Sequence, residues 1–392
     1  MELPGGRGEQ LTYCTNIHPA NGWEAVWTSL RDYALPLKRR LCPGGRFGIG
    51  LRLSAREAEE LLAAGGVRLR EFHAWLRDHD LYVALINGFP YGPFHRERVK
   101  EAVFAPDWRS PERLDYTRRL ASILAELLPE GMEGGISTCP LSYKGWVAPQ
   151  ESTAWEAIAE HVLRIARELA ELHARTGRHL HLDVEPEPDG LIETTAETIA
   201  FFERWLIPRW QGDAPVTDYV QLCYDTCHMA VEYERPDESL AALAGAGIRI
   251  GRVQISSALR VALPDRASER ERIGAALLPF AESTYLHQVI ERRREGFRRY
   301  RDLPDALPHL HDPAAREWRI HYHVPIFLAR YDPLASTQDD LRQLLALQAH
   351  SPFTRHLEIE TYTWEVLPPA LKGDLLPMIE REFRWVLAQR SI

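Results

Sequence analysis

Eight short β-like segments, separated mostly by helix-like ones, constrain this chain more than any other feature. They cover residues 12–18, 47–53, 81–87, 134–139, 179–185, 219–225, 250–256 and 356–362. Several of the intervening helices carry start signals. Ser54 with Glu57, Thr153 with Glu156 and Thr194 with Glu197 each fit a capping box, in which a hydroxyl and a carboxylate satisfy orphan amides reciprocally. Strand–helix alternation of this kind predicts a parallel sheet covered by helices. Eight repeats predict closure into a (β/α)8 barrel, because an open doubly wound sheet usually has fewer strands. With no internal repeat or low-complexity linker, residues 1–392 are expected to form one domain.

The C-terminal strands are not uniformly apolar. Leu180, Leu182 and Val184 alternate with His179, His181, Asp183 and Glu185; Val220, Leu222 and Tyr224 alternate with Gln221, Cys223 and Asp225. The seventh segment alternates Val253 and Ile255 with Arg252, Gln254 and Ser256, and the eighth alternates Leu357 and Ile359 with His356, Glu358 and Glu360. Period two puts each set on one face, so an apolar face can meet the helices while a titratable one points into the barrel. Burying that many ionisable groups is costly unless they are paired or bind a metal.

An insertion, about 259–319, interrupts the rhythm between the seventh strand and the last helix–strand pair. Within it, 284–293 and 297–301 flank Glu295-Gly296 as a β-hairpin, and a strand-like piece over 318–327 returns toward the barrel. The insertion is expected to elaborate a loop at the active end. Its six arginines (Arg292, Arg293, Arg294, Arg298, Arg299, Arg301) read as a solvated face or as a means of capturing an anionic substituent.

Composition narrows the function classes. A chain of 392 residues with 45% apolar and 26% charged residues can bury a substantial core. A net charge of −9 argues against a nucleic-acid or anionic-lipid surface. No apolar run approaches a membrane span, and Met1–Gln10 lacks a signal-peptide core. Five cysteines, four of them in or at the ends of strand-like segments, read as reduced thiols. A cytoplasmic protein is expected, and a homo-oligomer is compatible with all of this.

Four groups fall at equivalent places on the C-terminal strands: Glu185, Asp225, Gln254 and Glu360. Strand ends converge in a barrel, and two or three carboxylates plus neutral donors suit Mg²⁺, Mn²⁺, Co²⁺ or Zn²⁺. The alternative is that they are polar strand ends bonded to loop amides. His228, three residues beyond Asp225 on the turn after the strand, is a candidate ligand, general acid or substrate contact. His321 and His323, two apart, share a face of an extended piece; they fit a loop folding over the site or an exposed pair. Asn16, His18, Asn87, Tyr91, Lys144, Trp146 and Glu187 are candidate substrate contacts from neighbouring loops.

The order of Val184-Glu185-Pro186-Glu187-Pro188, Asp225-Thr226-Cys227-His228, Val253-Gln254-Ile255-Ser256, His323-Val324-Pro325 and Leu357-Glu358-Ile359-Glu360-Thr361 resembles a xylose-isomerase-like TIM barrel. That superfamily includes sugar isomerases and epimerases and the endonuclease IV type of repair enzyme. More narrowly, 11–19 (LTYCTNIHP), 87–95 (NGFPYGPFH) and Tyr285-Leu286-His287-Gln288 resemble the EboE family, called metabolite traffic proteins of the ebo operon. The resemblance implies Glu185, Asp225 and Glu360 as metal ligands, with Gln254 where the usual pattern has histidine. It implies His228 as a substrate or second-metal group, and His321 and His323 at nuclease ligand positions. Arg52 and Asn87 stand near the ends where the nuclease has histidines, so one metal, or two, is expected and not a trinuclear cluster.

The expected function is a divalent-metal-dependent isomerase or epimerase acting on a sugar, cyclitol or related polyol, with Glu185, Glu360 and His228 as catalytic groups. The alternative is a metabolite-binding or trafficking protein without turnover. A repair nuclease is disfavoured by the acidic balance and the missing ligands.

Overall fold

The computed structural model describes residues 1–3, 8–93, 99–148 and 150–389, so Phe94 and His95 of the second N-terminal motif lie outside the described residues. All eight expected barrel strands form. They are β1 (Gln10–Tyr13), β2 (Phe47–Arg52), β3 (Leu81–Asn87), β4 (Gly134–Thr138), β5 (Leu180–Val184), β6 (Val220–Asp225), β7 (Ile250–Ile255) and, after the insertion, β14 (His356–Ile359). They make one parallel sheet in the order β1-β14-β7-β6-β5-β4-β3-β2. A single parallel bridge, Cys14 to Gly50, brings its two edges together, so the sheet is a nearly closed eight-stranded barrel.

Ser54 caps the helix Ala55–Asp78 and Thr194 caps Thr195–Phe201, each as a full capping box with Glu57 or Glu197 reaching back. The third expected box does not form. The helix Ser152–Thr176 begins one residue before Thr153 and has no side-chain cap. Beyond β6 the chain makes two short helices, Thr226–Val231 and Pro236–Gly245. His228 therefore stands in a helical turn, held by the cap of Asp225 at its start.

The insertion builds a second, antiparallel sheet in the order β10-β9-β11-β8-β13-β12. Its strands are β8 (Leu259–Ala262), β9 (Val289–Arg293), β10 (Phe297–Tyr300), β11 (Ala315–Ile320), β12 (Arg330–Tyr331) and β13 (Leu334–Ser336). The expected hairpin is β9–β10, with Phe297 opposite Arg292. The sheet runs on past residue 319 to Ser336, because β13 pairs with β8, a contact between segments far apart in sequence. The expected strand over 318–327 ends at Ile320, and His321 to Pro325 is irregular backbone. Most of the arginines here are held in ion pairs: Arg292 with Glu317, Arg293 with Glu291 and Asp312, Arg299 with Glu193 and Glu232, and Arg301 with Glu101.

Within the barrel, period two stacks polar layers. Arg252, fully buried, donates from Nε to Asp183 Oδ2 at 2.9 Å, from Nη1 to Glu358 Oε2 at 3.3 Å and from Nη2 to the Ile86 carbonyl at 3.2 Å. His181 Nδ1 lies 2.6 Å from Asp183 Oδ1. Glycines make room for these carboxylates. A Cβ on Gly50 would fall 1.4 Å from Glu358 Oε1, and one on Gly251 would fall 1.9 Å from Asp183 Oδ1. Gly50→Ala is therefore expected to push Glu358 off Arg252 and destabilise by about 1–3 kcal/mol, as overpacked interiors do. Urea denaturation checks this; an unchanged midpoint would show that Glu358 can move freely.

Candidate functional site

The three carboxylates expected at the strand ends converge. One oxygen each of Glu185, Asp225 and Glu360 lie within 4.8 Å of one another, all buried. Asp225 Oδ1 accepts from Cys227 N (2.7 Å), His228 N (3.0 Å) and Ser256 Oγ (2.7 Å), so the strand-to-helix turn fixes its orientation. Glu360 Oε1 accepts from Asn16 Nδ2 (2.7 Å) and Asn87 Nδ2 (3.2 Å), which reach in from the N-terminal strands. Among the described residues, no protein N–H or hydroxyl reaches the buried Asp225 Oδ2 or Glu185 Oε2. Buried oxygens left bare in this way are costly unless something else satisfies them.

The histidines complete the site, and hydrogen-bond bookkeeping fixes their tautomers. His323 Nδ1 faces the Glu360 carbonyl at 2.9 Å and must donate, leaving a bare Nε2 lone pair 3.9 Å from Asp225 Oδ2. His228 Nδ1 donates to the Pro186 carbonyl at 3.0 Å. Gln288 Nε2 donates to the Pro188 carbonyl, so its Oε1 faces His321 Nδ1 at 2.7 Å, and that nitrogen must also donate. The consequence is that His228 Nε2 and His321 Nε2 present lone pairs to each other at 3.1 Å. A bound cation or proton would relieve that repulsion.

A proton is the poorer choice. Burial pushes His228 down to about 4, only partly offset by Asp225. Burial, with the His228 and His323 charges, drives His321 well below the ordinary range. Burial likewise lowers His323. The carboxyls behave oppositely. Burial and then the Asp225 charge push Glu185 well up, and burial with Glu185 and Asp225 does the same to Glu360. Burial also works against Asp225, yet the adjoining imidazoles and the donors from Ser256 and the His228 amide outweigh it and hold it low. Neutral imidazole lone pairs facing carboxylates that repel one another are a donor set that fits a divalent cation. The sets that can close on one are Glu185–Asp225–Glu360, Asp225–His228–His323 and Cys227–His321–His323.

The remaining expected residues separate into two groups. Asn87, Glu185, Glu187, His228, His321 and Glu360 line one cavity at the barrel mouth. The same cavity is also lined by Phe89, Phe104, Leu286 and the rings of Tyr285 and Tyr362. Glu187 Oε1 lies 3.6 Å from His321 Nδ1, and burial, then the Glu185 charge, raises its carboxyl well up. His18, Tyr91, Lys144 and Trp146 do not line this cavity. His18 stacks on Tyr33 at 4.3 Å, Tyr91 packs edge-on against Tyr116, Trp146 packs on Tyr143, and Lys144 pairs with Glu193 and with Glu197 at 3.0 Å. Gln254 is fully buried on β7, in register with Asp225 on one side and Glu358 on the other. Two residues that orient the site stand within the quoted motifs, but the sequence gives them no role: Ser256, which holds Asp225, and Gln288, which fixes the His321 tautomer.

Fold and site together define an α/β barrel carrying clustered metal-ligating side chains at the carboxyl ends of its strands. No protein-family model matches the sequence, and no curated protein matches it. Among solved structures it is similar to an IOLI protein with a binding zinc atom, at 12% identity and a TM-score of 0.47 over 97% of this chain and 98% of that one. It is also similar to a D-tagatose 3-epimerase-like protein (11% identity, TM-score 0.39, 62% and 75% covered) and to SacUVDE (11%, 0.38, 96% and 99%). No helix among the described residues is long and apolar enough to cross a membrane.

Proposed function

We propose that this chain is a divalent-metal-dependent isomerase or epimerase of a sugar, cyclitol or related polyol, in the manner of the xylose-isomerase-like barrels its motifs resemble. The observation that carries the reading is the set of bare, buried donor atoms (Asp225 Oδ2, Glu185 Oε2 and His323 Nε2) gathered at the barrel mouth. Glu185, Asp225 and Glu360 would hold the cation, with His323 or Gln254 as a neutral donor; a second would take His323 with either Asp225 and His228 or Cys227 and His321. When bound, it would supply Lewis-acid polarisation of an α-hydroxy carbonyl.

The chain's own groups do the rest. Glu185 and Glu360 follow β5 and β14, which have β6 and β7 between them, and a carboxyl oxygen of each lies within 4.8 Å of the other. Their mutual repulsion favours one protonated and one ionised carboxyl, which is the state an acid–base pair needs. The ionised partner removes a proton from the substrate carbon, and the protonated one returns a proton to the other face. Asn16 and Asn87 hold Glu360 in place for that transfer. Glu187 and His228 face the same cavity, positioned for hydroxyl recognition, while Phe89 and Phe104 exclude water.

The direct test is metal analysis of the purified protein together with exchange of a substrate C–H into ²H₂O. Glu185→Ala is expected to abolish exchange by at least about 10³-fold. A protein that retains no metal and is indifferent to this change would sink the reading. A second reading, binding without turnover, is favoured by Gln254 standing where histidine is usual and by the resemblance to metabolite traffic proteins. A co-purified ligand that survives incubation with metal unaltered would support it.

The pKa directions set a pH dependence. Glu185, Glu187 and Glu360 have folded values above their unfolded ones. Without metal, the stability they contribute is present below about pH 4.5 and is lost as pH rises through the folded values. Histidine 228 has a depressed value of about 4, so its contribution is present above about 6.5 and is lost as pH falls through about 4. A cation replaces the carboxyl protons, so the rise in Tm on adding Mn²⁺ is expected to grow between pH 5 and 8. A rise that is flat or shrinks over that range would place the metal elsewhere.

A further inference from the structure

The layer beneath the site contains a pairing that bears on Gln254. Gln254 and Glu358 are register partners on β7 and β14, and both are fully buried with side chains inside the barrel. Arg252, two residues before Gln254 on the same strand, holds Glu358 Oε2. Glu358 Oε1 and both ends of the Gln254 amide lack a well-formed hydrogen bond among the described residues. An orphaned amide and an orphaned carboxylate oxygen on adjacent strands are chemically complementary, but only one way round. A carboxylate can only accept, so the amide nitrogen must turn to Glu358. The amide oxygen is then the end left free, and the other register partner of Gln254, on β6, is Asp225.

We infer that Glu358, anchored by Arg252, is a positioning residue that orients the Gln254 amide so that its carbonyl oxygen, and not its nitrogen, is presented to the metal site. This rests on the metal reading above and adds to it the reason a glutamine can serve as a ligand there. Gly50 supplies the space in which Glu358 can lie, since any Cβ there would overlap it. An unanchored amide in the same place would be free to turn either end to a cation, and half of those orientations present N–H donors that repel it.

The test is a double-mutant cycle read by calorimetric titration of Mn²⁺ into the metal-free full chain. Glu358→Gln lets residue 358 donate as well as accept, so it no longer dictates the amide's orientation. It is expected to weaken Mn²⁺ binding about 10-fold, the size of other outer-shell effects on metal affinity. Gln254→Met removes the amide and should weaken binding at least as much. The double variant should bind no more weakly than Gln254→Met alone, because the Glu358 effect acts through Gln254. Unchanged affinity in Glu358→Gln, or losses that add in the double variant, overturns the inference while leaving the metal site standing. A wild-type protein that binds no Mn²⁺ overturns both. Should Glu358→Gln fail to fold, ¹⁵N-glutamine labelling of the wild type decides the matter. The Gln254 side-chain resonance, identified by its loss in Gln254→Met, is expected to shift on Zn²⁺ addition, and its failure to move overturns the inference.

Discussion

Arg252→Met is expected to lower the unfolding free energy by about 3–5 kcal/mol, the cost of stripping the partner from buried charges. Arg252 is fully buried and ties four strands: its own β7, β5 through Asp183, β14 through Glu358 and β3 through the Ile86 carbonyl. Methionine fills much of the volume but takes the guanidinium away from both carboxylates, leaving His181 beside Asp183 and no cation at Glu358. Glu358, which burial already raises, would lose the charge that pulls it back, so its contribution to stability falls as pH rises. The deficit against wild type should accordingly be larger at pH 8 than at pH 5. Urea unfolding at the two pH values checks both statements. A variant within about 0.5 kcal/mol of wild type would show that the layer is hydrated and screened.

Asp225→Asn is expected to separate metal binding from folding. Asn keeps an oxygen for the donors from Cys227, His228 and Ser256, so the helix cap survives and metal-free stability should change by less than about 1 kcal/mol. Loss of the charge that raises Glu185 and Glu360 even relieves repulsion in the metal-free protein. Metal affinity, by contrast, should fall more than about 100-fold, beyond the range of outer-shell changes, because of the three converging carboxylates Asp225 is the one held low. Metal content after dialysis and the loss of the Mn²⁺-dependent rise in Tm report this. Retention of metal at wild-type affinity would place Asp225 in the fold and not in the ligand set.

The strand positions were readable because apolar alternation and flanking cap residues are local. Ser54 with Glu57 and Thr194 with Glu197 carry their own hydrogen-bond geometry within four residues. Thr153 with Glu156 has the same spacing and forms no such cap, because the helix begins at Ser152 with Glu151 at its N-cap. The convergence of Glu185, Asp225 and Glu360 was likewise legible, since equivalent places on barrel strands must meet. Contacts contributed by loops were legible only in part: Asn16, Asn87 and Glu187 line the cavity, and His18, Tyr91, Lys144 and Trp146 do not. Lys144 and His18 have the chemistry of substrate ligands, but long-range partners, Glu193 for one and Tyr33 for the other, hold them elsewhere. The arginine run of the insertion reads the same in either role until its acidic partners are placed.

By itself the sequence determined which side chains face into the barrel. Period two is a property of the extended backbone and needs no tertiary information, so Asp183, Arg252, Gln254, Glu358 and Glu360 were bound to share the interior once the strands paired. Only the tertiary structure decided which of them answer one another. Register set Gln254 beside Glu358, and the return of the chain after β11 brought His321 to 3.1 Å from His228. Those distances depend on how segments separated by many residues close on each other, and the protonation and donor roles of the site follow from them.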